Sequence, residues 1–464
     1  MLMQEKIKTK ENGEINVREN LFKEIKEEKK PIHVVLIATK PDIIKQAPLI
    51  LELKKENEFV VVVHSGQHYS WNLSKGMEQE FGIIPDINLN VKGKLFEQQS
   101  QIINRLGIVL EKIGKKVIPY TYGDTTTALA GGIACFALKN GVAHVEAGLR
   151  TMTPPKEMFD YLMKGFETEE YYEKLMKKDG WTKGSYEPYP EQFDTRGAAP
   201  SAGIHFAPTE LNAVHLENEG YEKKRIFIVG NPVVDALEFA EKRIKESSIF
   251  EKYPVLDEGN FIRFCIHRRE NISSEHRFKV LYDSMVELIK EEKNILLISL
   301  GATEKALQEY NLKKKTEELA EKHKNFVYSP VWPEYTDVIA AMKKCSAIAT
   351  DSGSIQEETN SLGIPGIVLR FNSDRPEAVF EGSNIIAPPI KKEIVLKIIK
   401  DVTENNELNK KMRHRKKLYG KDVSKKMVAI TKKITEKEEL FELFEHERLG
   451  LSKKDFWKKG GIDW

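Results

Sequence analysis

Hydrophobic positions in this chain fall into short, nearly unbroken runs. Between the runs lie longer stretches in which apolar residues recur every three or four positions. HVVLIAT (33–39) precedes DIIKQAPLILELKKE, and FVVVVHS (59–65) precedes WNLSKGMEQEFG. QIINRLGIVLEKIGKK leads into VIPYTYG (117–123), and TTTALAGGIACFALKN leads into VAHVEAG (142–148). The series continues with IHFAPT and RIFIVG. Continuous apolar strands alternating with amphipathic helices predict a parallel sheet covered on both faces. A second series follows GNPVVDALEFAEKRIKES: FIRFCIH, NILLISL, NFVYSP, AIATDS, PGIVLR and NIIAP, with helical stretches between them. The fold class expected is α/β, with two Rossmann-like parallel-sheet domains facing a cleft and the boundary near Asn231–Asp235. Loops at the carboxyl ends of the strands would line that cleft.

Three segments break the pattern. Residues 1–30 read as a polar N-terminal extension with a helix over Glu19–Lys30. Residues 151–188, polar and aromatic, read as an insertion in a first domain spanning 31–235. A second domain spans 236–425. Residues 426–464 form a C-terminal helix and tail, whose Phe441, Leu443, Phe444, Phe456 and Trp457 suggest docking or oligomer contact.

At 464 residues the chain is too long for one ordinary core, which fits two domains. Lys+Arg number 73 and Asp+Glu 71, a balance that lacks the basic excess of a nucleic-acid binder. The basic run Lys411–Lys417 reads as a solvated helix face. Cys135, Cys265 and Cys345 are far apart, in apolar stretches and without CxxC spacing, and read as reduced core residues. The charged N-terminus is unlike a signal peptide, and no apolar run reaches the roughly 18 residues of a spanning helix. A soluble cytoplasmic protein without membrane insertion is the expectation.

Polar residues recur where strands end. In HVEAGLR (144–150), Glu146 closes an apolar strand, and a buried carboxylate there is costly unless paired or used. Asp124 in YGDTTT could serve as a helix N-cap. Lys40 and Lys45 flank the start of a helix in TKPDIIKQAP, a reasonable anion site. In the second domain, CIHRREN places His267, Arg268, Arg269 and Glu270 after its first strand. TDSGSIQEE places Asp351, Ser352, Gly353 and Ser354 before a helix, where backbone N–H groups can hold a diphosphate, with Glu357 and Glu358 one turn in. Arg370 and Arg375 follow the next strand.

These motifs, with SGQHY, GDTTTALAG, YPEQFDTR, HFAPTE, GNPVVDAL, SLGIPGIVLR and RPEAV, resemble those of the non-hydrolysing UDP-N-acetylglucosamine 2-epimerases from about Ile32 to Asn384. The resemblance implies the two-Rossmann-domain arrangement shared with GT-B glycosyltransferases. It implies catalytic roles for Asp124, Glu146, Glu191 and His267, and uridine-diphosphate contacts at Lys40, Lys45, Ser352, Gly353, Glu358 and Arg375. His68, Arg196, Arg268 and Ser354 complete the candidate substrate contacts. The family's PEEXNR element appears as Pro190–Arg196, with Thr195 in the place of the arginine and Arg196 one step later. Lys40 stands for the usual arginine of the first loop, and Ser354 for the second glycine of the diphosphate turn.

The implied reaction eliminates UDP to give a glycal and re-adds it with inversion at C2. It requires a base on one face of the sugar, an acid on the other, and donors for the departing diphosphate. No metal or redox cofactor is expected. A UDP-sugar substrate, an allosteric UDP-GlcNAc and a homodimer are what the family leads one to expect, and nucleic acid is not expected as a partner. Rival readings are C2 epimerisation of a UDP-2,3-diacetamido sugar acid, a hydrolysing epimerase, a GT-B glycosyltransferase and a non-catalytic nucleotide-sugar sensor. HVEAGLR and GDTTT speak against the glycosyltransferase, and the retained proton carriers speak against the sensor.

Overall fold

The computed structural model describes residues 4–9, 13–66, 76–115 and 117–436. Among the described residues, two large sheets and one two-stranded sheet are present. The first has nine strands in the spatial order Gln4–Lys8, Glu14–Arg18, Ile87–Asn88, Val60–His64, Ile32–Ile37, Val117–Tyr122, Val142–Val145, Ala202–Ala207 and Ile226–Ile228. The second has six, in the order Phe326–Pro330, Ile295–Ser299, Phe261–Cys265, Cys345–Thr350, Gly366–Val368 and Asn384–Ile386. Every pairing in the second sheet is parallel, as the unbroken Val/Ile/Leu runs predict.

The strand order reverses beside the first strand of each domain. Ile32–Ile37 lies between Val60–His64 and Val117–Tyr122. Phe261–Cys265 lies between Ile295–Ser299 and Cys345–Thr350. Connections leave such a point in opposite directions and open a crevice at the strand ends. Lys40 and Asp124 follow the two switch strands of the first sheet, and His267 and Asp351 follow those of the second.

The N-terminal extension differs from its sequence reading. Its helix, Leu21–Glu27, falls inside the expected span. Before it, Gln4–Lys8 and Glu14–Arg18 form a hairpin that pairs antiparallel with Ile87–Asn88 and extends the first sheet. Ile15 and Val17 face the core while the intervening polar residues face out, so one face of a half-buried strand carries the segment.

The insertion leaves the first domain at Met152 and lies on the second. Met152–Thr153 pairs with Thr182–Lys183, and helices Lys156–Lys164 and Thr168–Leu175 sit between them. Leu162, Tyr171, Tyr172 and Leu175 are buried among second-domain side chains such as Val379, Ile386 and Val395. Tyr171 Oη donates to Ile386 O (3.0 Å) and Tyr172 Oη to Gly382 O (2.7 Å). At its root, Met152 and Ser373 exchange backbone hydrogen bonds of 2.9 and 3.0 Å. A second return crossing comes from helix Val423–Glu436, which packs on helix Lys40–Lys55 of the first domain. The tail 437–464 and His68 lie outside the described residues. The three cysteines are buried and unbridged. Among the described residues, no helix is long and apolar enough to cross a membrane.

Candidate active site

The three polar residues of HVEAGLR have three different tasks. His144 sits inside its strand, and its Nε2–H donates to Gly123 O (2.8 Å), bracing the neighbouring turn. Arg150 forms a fork on Glu219, with Nε and Nη2 at 2.7 and 2.5 Å from the carboxylate. Between them, Glu146 adopts φ 62°, a left-handed conformation uncommon for a residue with a side chain. Ala147 N returns to the sheet at Phe206 O (2.9 Å), so the kink is confined to Glu146 and its neighbours. Strain of this kind persists where the surroundings determine the conformation, often in functional sites.

The kink delivers the Glu146 carboxylate to donors from both domains. Its Oε1 accepts from Lys45 Nζ (2.7 Å), Asn231 Nδ2 (2.6 Å) and Arg375 Nη2 (3.3 Å). Glu357, on helix Gly353–Leu362, contacts the same Lys45 and Arg375 from the other side. Two acids and two bases thus close a buried square across the domain seam, which answers why a carboxylate can stand at the end of that strand. Burial alone would raise the proton affinity of Glu146, but Lys45 and Arg375 hold it well below the ordinary carboxylate range.

Asp124 follows Gly123, whose φ of 61° opens the turn. A Cβ on Gly123 would stand 2.7 Å from Glu146 Oε2, so glycine there makes room for the carboxylate. The cap of helix Thr126–Ala137 is Thr125, whose Oγ1 accepts from Ala128 N (3.2 Å). Asp124 is therefore free of the capping role that its sequence allowed. Its carboxyl is buried, and Oδ2 has no hydrogen-bond partner among the described residues. Burial, with Arg375 opposing and Glu146 and Glu191 assisting, pushes it up to about 6.

On the facing domain, Asp351 gathers the His267 loop. It accepts from the backbone N–H groups of His267 and Arg268 and from Asn271 Nδ2 (3.0 Å), and its Oδ1 lies 3.1 Å from His267 Nδ1. Burial would lower the imidazole's proton affinity, but Asp351 raises it to about 10, so His267 is an imidazolium at neutral pH. Arg268 reaches back across the seam to Glu191, at the start of helix Glu191–Ala198, and lies 3.5 Å from Asp374. Asp374 also holds Arg370 at 2.9 Å.

Lys40 begins helix Lys40–Lys55 and donates to Trp332 O (2.8 Å). Burial and the nearby Arg263 pull its ammonium down to about 8. Glu358 accepts from Tyr335 Oη (2.8 Å), and burial raises its carboxyl. Ser352, Gly353 and Ser354 form the entry to helix Gly353–Leu362. A Cβ on Gly353 would lie 2.7 Å from Asp374 Oδ2, so the close approach there tolerates only glycine. Asp124, Glu146, Glu191, Arg268 and Arg375 thus act on one another across the seam, and His267 is held beside Arg268 by Asp351.

Arg196 does not join them. It is exposed and lies near Arg150 and Glu219, while Thr195 occupies the fully buried position. One helical step turns a side chain by about 100°, enough to send Arg196 outward. The sequence reading also left Asn231 and Asp374 without a role and Glu357 without a partner. Asp351 was noted only as part of a diphosphate turn. The available signal was a strand-end acid for Asp351; for Glu357, the adjacent Glu358 made the choice ambiguous.

A family model described as UDP-N-acetylglucosamine 2-epimerase matches residues 51–163 and 182–432. The interruption falls within the insertion. The UDP-N-acetylglucosamine 2-epimerase of Methanocaldococcus jannaschii is 33% identical over 368 residues, covering 78% of this chain and 89% of that one. That of Bacillus subtilis is 30% identical over 402 residues, covering 83% and 91%. A crystal structure of the M. jannaschii enzyme in complex with UDP-GlcNAc and UDP aligns with a TM-score of 0.72 at 29% identity, covering 88% of this chain and 100% of that chain. The Neisseria meningitidis enzyme bound to UDP-GlcNAc also aligns with a TM-score of 0.72, at 28% identity and 87% and 100% coverage. With its two switch-point crevices, its cross-seam charges and these matches, the chain belongs to the UDP-N-acetylglucosamine 2-epimerase family.

Proposed function

We propose that the protein is an isomerase that converts UDP-GlcNAc to UDP-ManNAc by the non-hydrolysing route. A carboxylate removes the C2 proton, the C1–O bond breaks, and UDP departs with the bonding pair, leaving a glycal. A phosphate oxygen of UDP then returns to C1 while C2 takes a proton on the opposite face. The observation that supports this reading is the meeting of Asp124, Glu146 and Glu191 from one domain with Arg268 and Arg375 from the other, with His267 next to Arg268 on the Asp351-held loop.

Asp124 has a proton affinity near neutrality, which suits a group that must both hold and release a proton. Glu191 stands as the second proton carrier, and the charged form of His267 that Asp351 favours suits stabilisation of a departing phosphate oxygen. Lys45 and Arg375, now shared between Glu146 and Glu357, would exchange part of that pairing for the diphosphate. Lys40, the entry at Ser352–Ser354 and Glu358 supply further contacts to UDP. The product would serve as a precursor for cell-surface polysaccharide or glycan synthesis in the cytoplasm, and a homodimer is the assembly proposed.

Incubation with UDP-GlcNAc in deuterated water tests the reading. The expected product is UDP-ManNAc carrying deuterium at C2, seen by NMR and mass spectrometry. Free N-acetylmannosamine would show hydrolysis instead. Binding without turnover would favour a sensor, and absence of binding would move the assignment to another UDP-sugar.

A further inference from the structure

Asp194 lies one helical turn beyond Glu191 and is fully buried. Its Oδ2 accepts from Thr126 Oγ1 at 2.9 Å. Thr126 opens helix Thr126–Ala137 two residues after Asp124, and this helix packs against helix Glu191–Ala198. Asp194 therefore holds the first residue of the helix that follows the Asp124 turn. Its other oxygen, Oδ1, is buried without a hydrogen-bond partner among the described residues, as are Oδ2 of Asp124 and Oγ1 of Thr195.

Laid on Pro190–Thr195, the PEEXNR pattern has asparagine at the position of Asp194 and arginine at that of Thr195. This chain exchanges a neutral amide for an acid and also lacks the cation beside it. The charged groups that act on Asp194 are Glu191 on its own helix and Asp124 on the facing turn, and both are acids. Arg196 is exposed beside Arg150 and Glu219.

We propose that Asp194 is a positioning residue for Asp124: as a neutral acid it takes the Thr126 hydroxyl and fixes the turn bearing Asp124, and as an anion it halts turnover. A protonated carboxyl accepts from Thr126 through one oxygen and resembles the amide that it replaces. Burial pushes Asp194 up to about 7, the Thr126 hydrogen bond opposing and Glu191 and Asp124 assisting, so the neutral form is present at the pH where Asp124 works. An ionised Asp194 would add a charge beside Asp124 and Glu191. That charge keeps Asp124 protonated and opposes entry of a diphosphate.

The inference rests on the epimerase reading only for its kinetic readout. In the full-length chain, Asp194→Ala should lower kcat about tenfold near pH 6, and Asp194→Asn should restore it to within about threefold. In Asp194→Asn the alkaline limb of kcat/KM should move up by about one pH unit. An unmoved limb, or an alanine variant as fast as the natural chain, overturns the proposal. A second measurement needs no turnover. An acid whose affinity is raised by folding destabilises the fold as pH rises from its unfolded value towards its folded one. The Tm of Asp194→Asn should therefore gain a few degrees on that of the natural chain between about pH 4 and pH 7. If no UDP-sugar is epimerised, the functional reading falls and this comparison still decides the matter: a Tm difference independent of pH overturns it.

Discussion

Glu146 ties most of the cleft together, and its substitution separates charge from shape. Glu146→Gln keeps an acceptor for Lys45 and Asn231 but leaves Lys45 and Arg375 to share Glu357. Turnover should fall by about 10²-fold or more with an unchanged circular dichroism spectrum. Asp351→Asn tests the histidine. In the natural chain the pairing with Asp351 favours the charged imidazole, so its stabilisation is complete below about 6.5 and is lost as pH rises towards about 10. Without Asp351 burial is left largely unopposed, and the imidazole should lose its proton at a much lower pH than in the natural chain. Activity that needs the imidazolium should then decline at correspondingly lower pH, a change read directly from kcat/KM against pH. Glu146 was legible because a carboxylate at the end of an apolar strand has few structural reasons to be there. Glu357 was not, because in QEE both carboxylates lie within one turn and only packing shows which meets Lys45. Arg196 shows the converse: the residue type was present, but one helical step put it on the wrong side.

At the scale of elements, the alternating strands and helices could be read from periodicity because the second sheet, and the first apart from its hairpin edge, are parallel, which leaves nearly unbroken apolar runs. The N-terminal hairpin escaped that reading. Its lysines and glutamates mask the Ile15–Val17 alternation, and no short-range feature names Ile87–Asn88 as its partner. Removing residues 1–18 would uncover a strand edge and the apolar side chains under Ile15 and Val17. The truncated protein should melt earlier and self-associate by sedimentation. In the insertion, aromatic content pointed to packing but not to which domain would receive it. Tyr171 is fully buried, so Tyr171→Ala should cost about 3–5 kcal/mol in denaturant unfolding. Tyr171→Phe, which loses only the bond to Ile386 O, should cost about 1 kcal/mol.

At the scale of the molecule, the arrangement of two domains was visible from the repetition of the strand–helix series, whereas the charges that join them were not. Partners such as Lys45 and Glu357, or Glu191 and Arg268, are far apart in the chain and meet only once the domains face each other. A ligand that replaces those pairings should stabilise the assembled form. UDP alone, without the sugar, should raise Tm by the equivalent of about 2.7 kcal/mol at a hundredfold excess over Kd. The Lys45→Met variant should show a much smaller rise.

The insertion gives this molecule a property that a plain pair of lobes lacks. A polypeptide loop departs from one lobe, buries its tyrosines in the other and comes back, so the lobes are stitched as well as touching. Pulling them straight apart would require unpicking Tyr171, Tyr172 and the Met152–Ser373 rung together. Any relative movement of the lobes would therefore keep this stitched edge in place unless those contacts break.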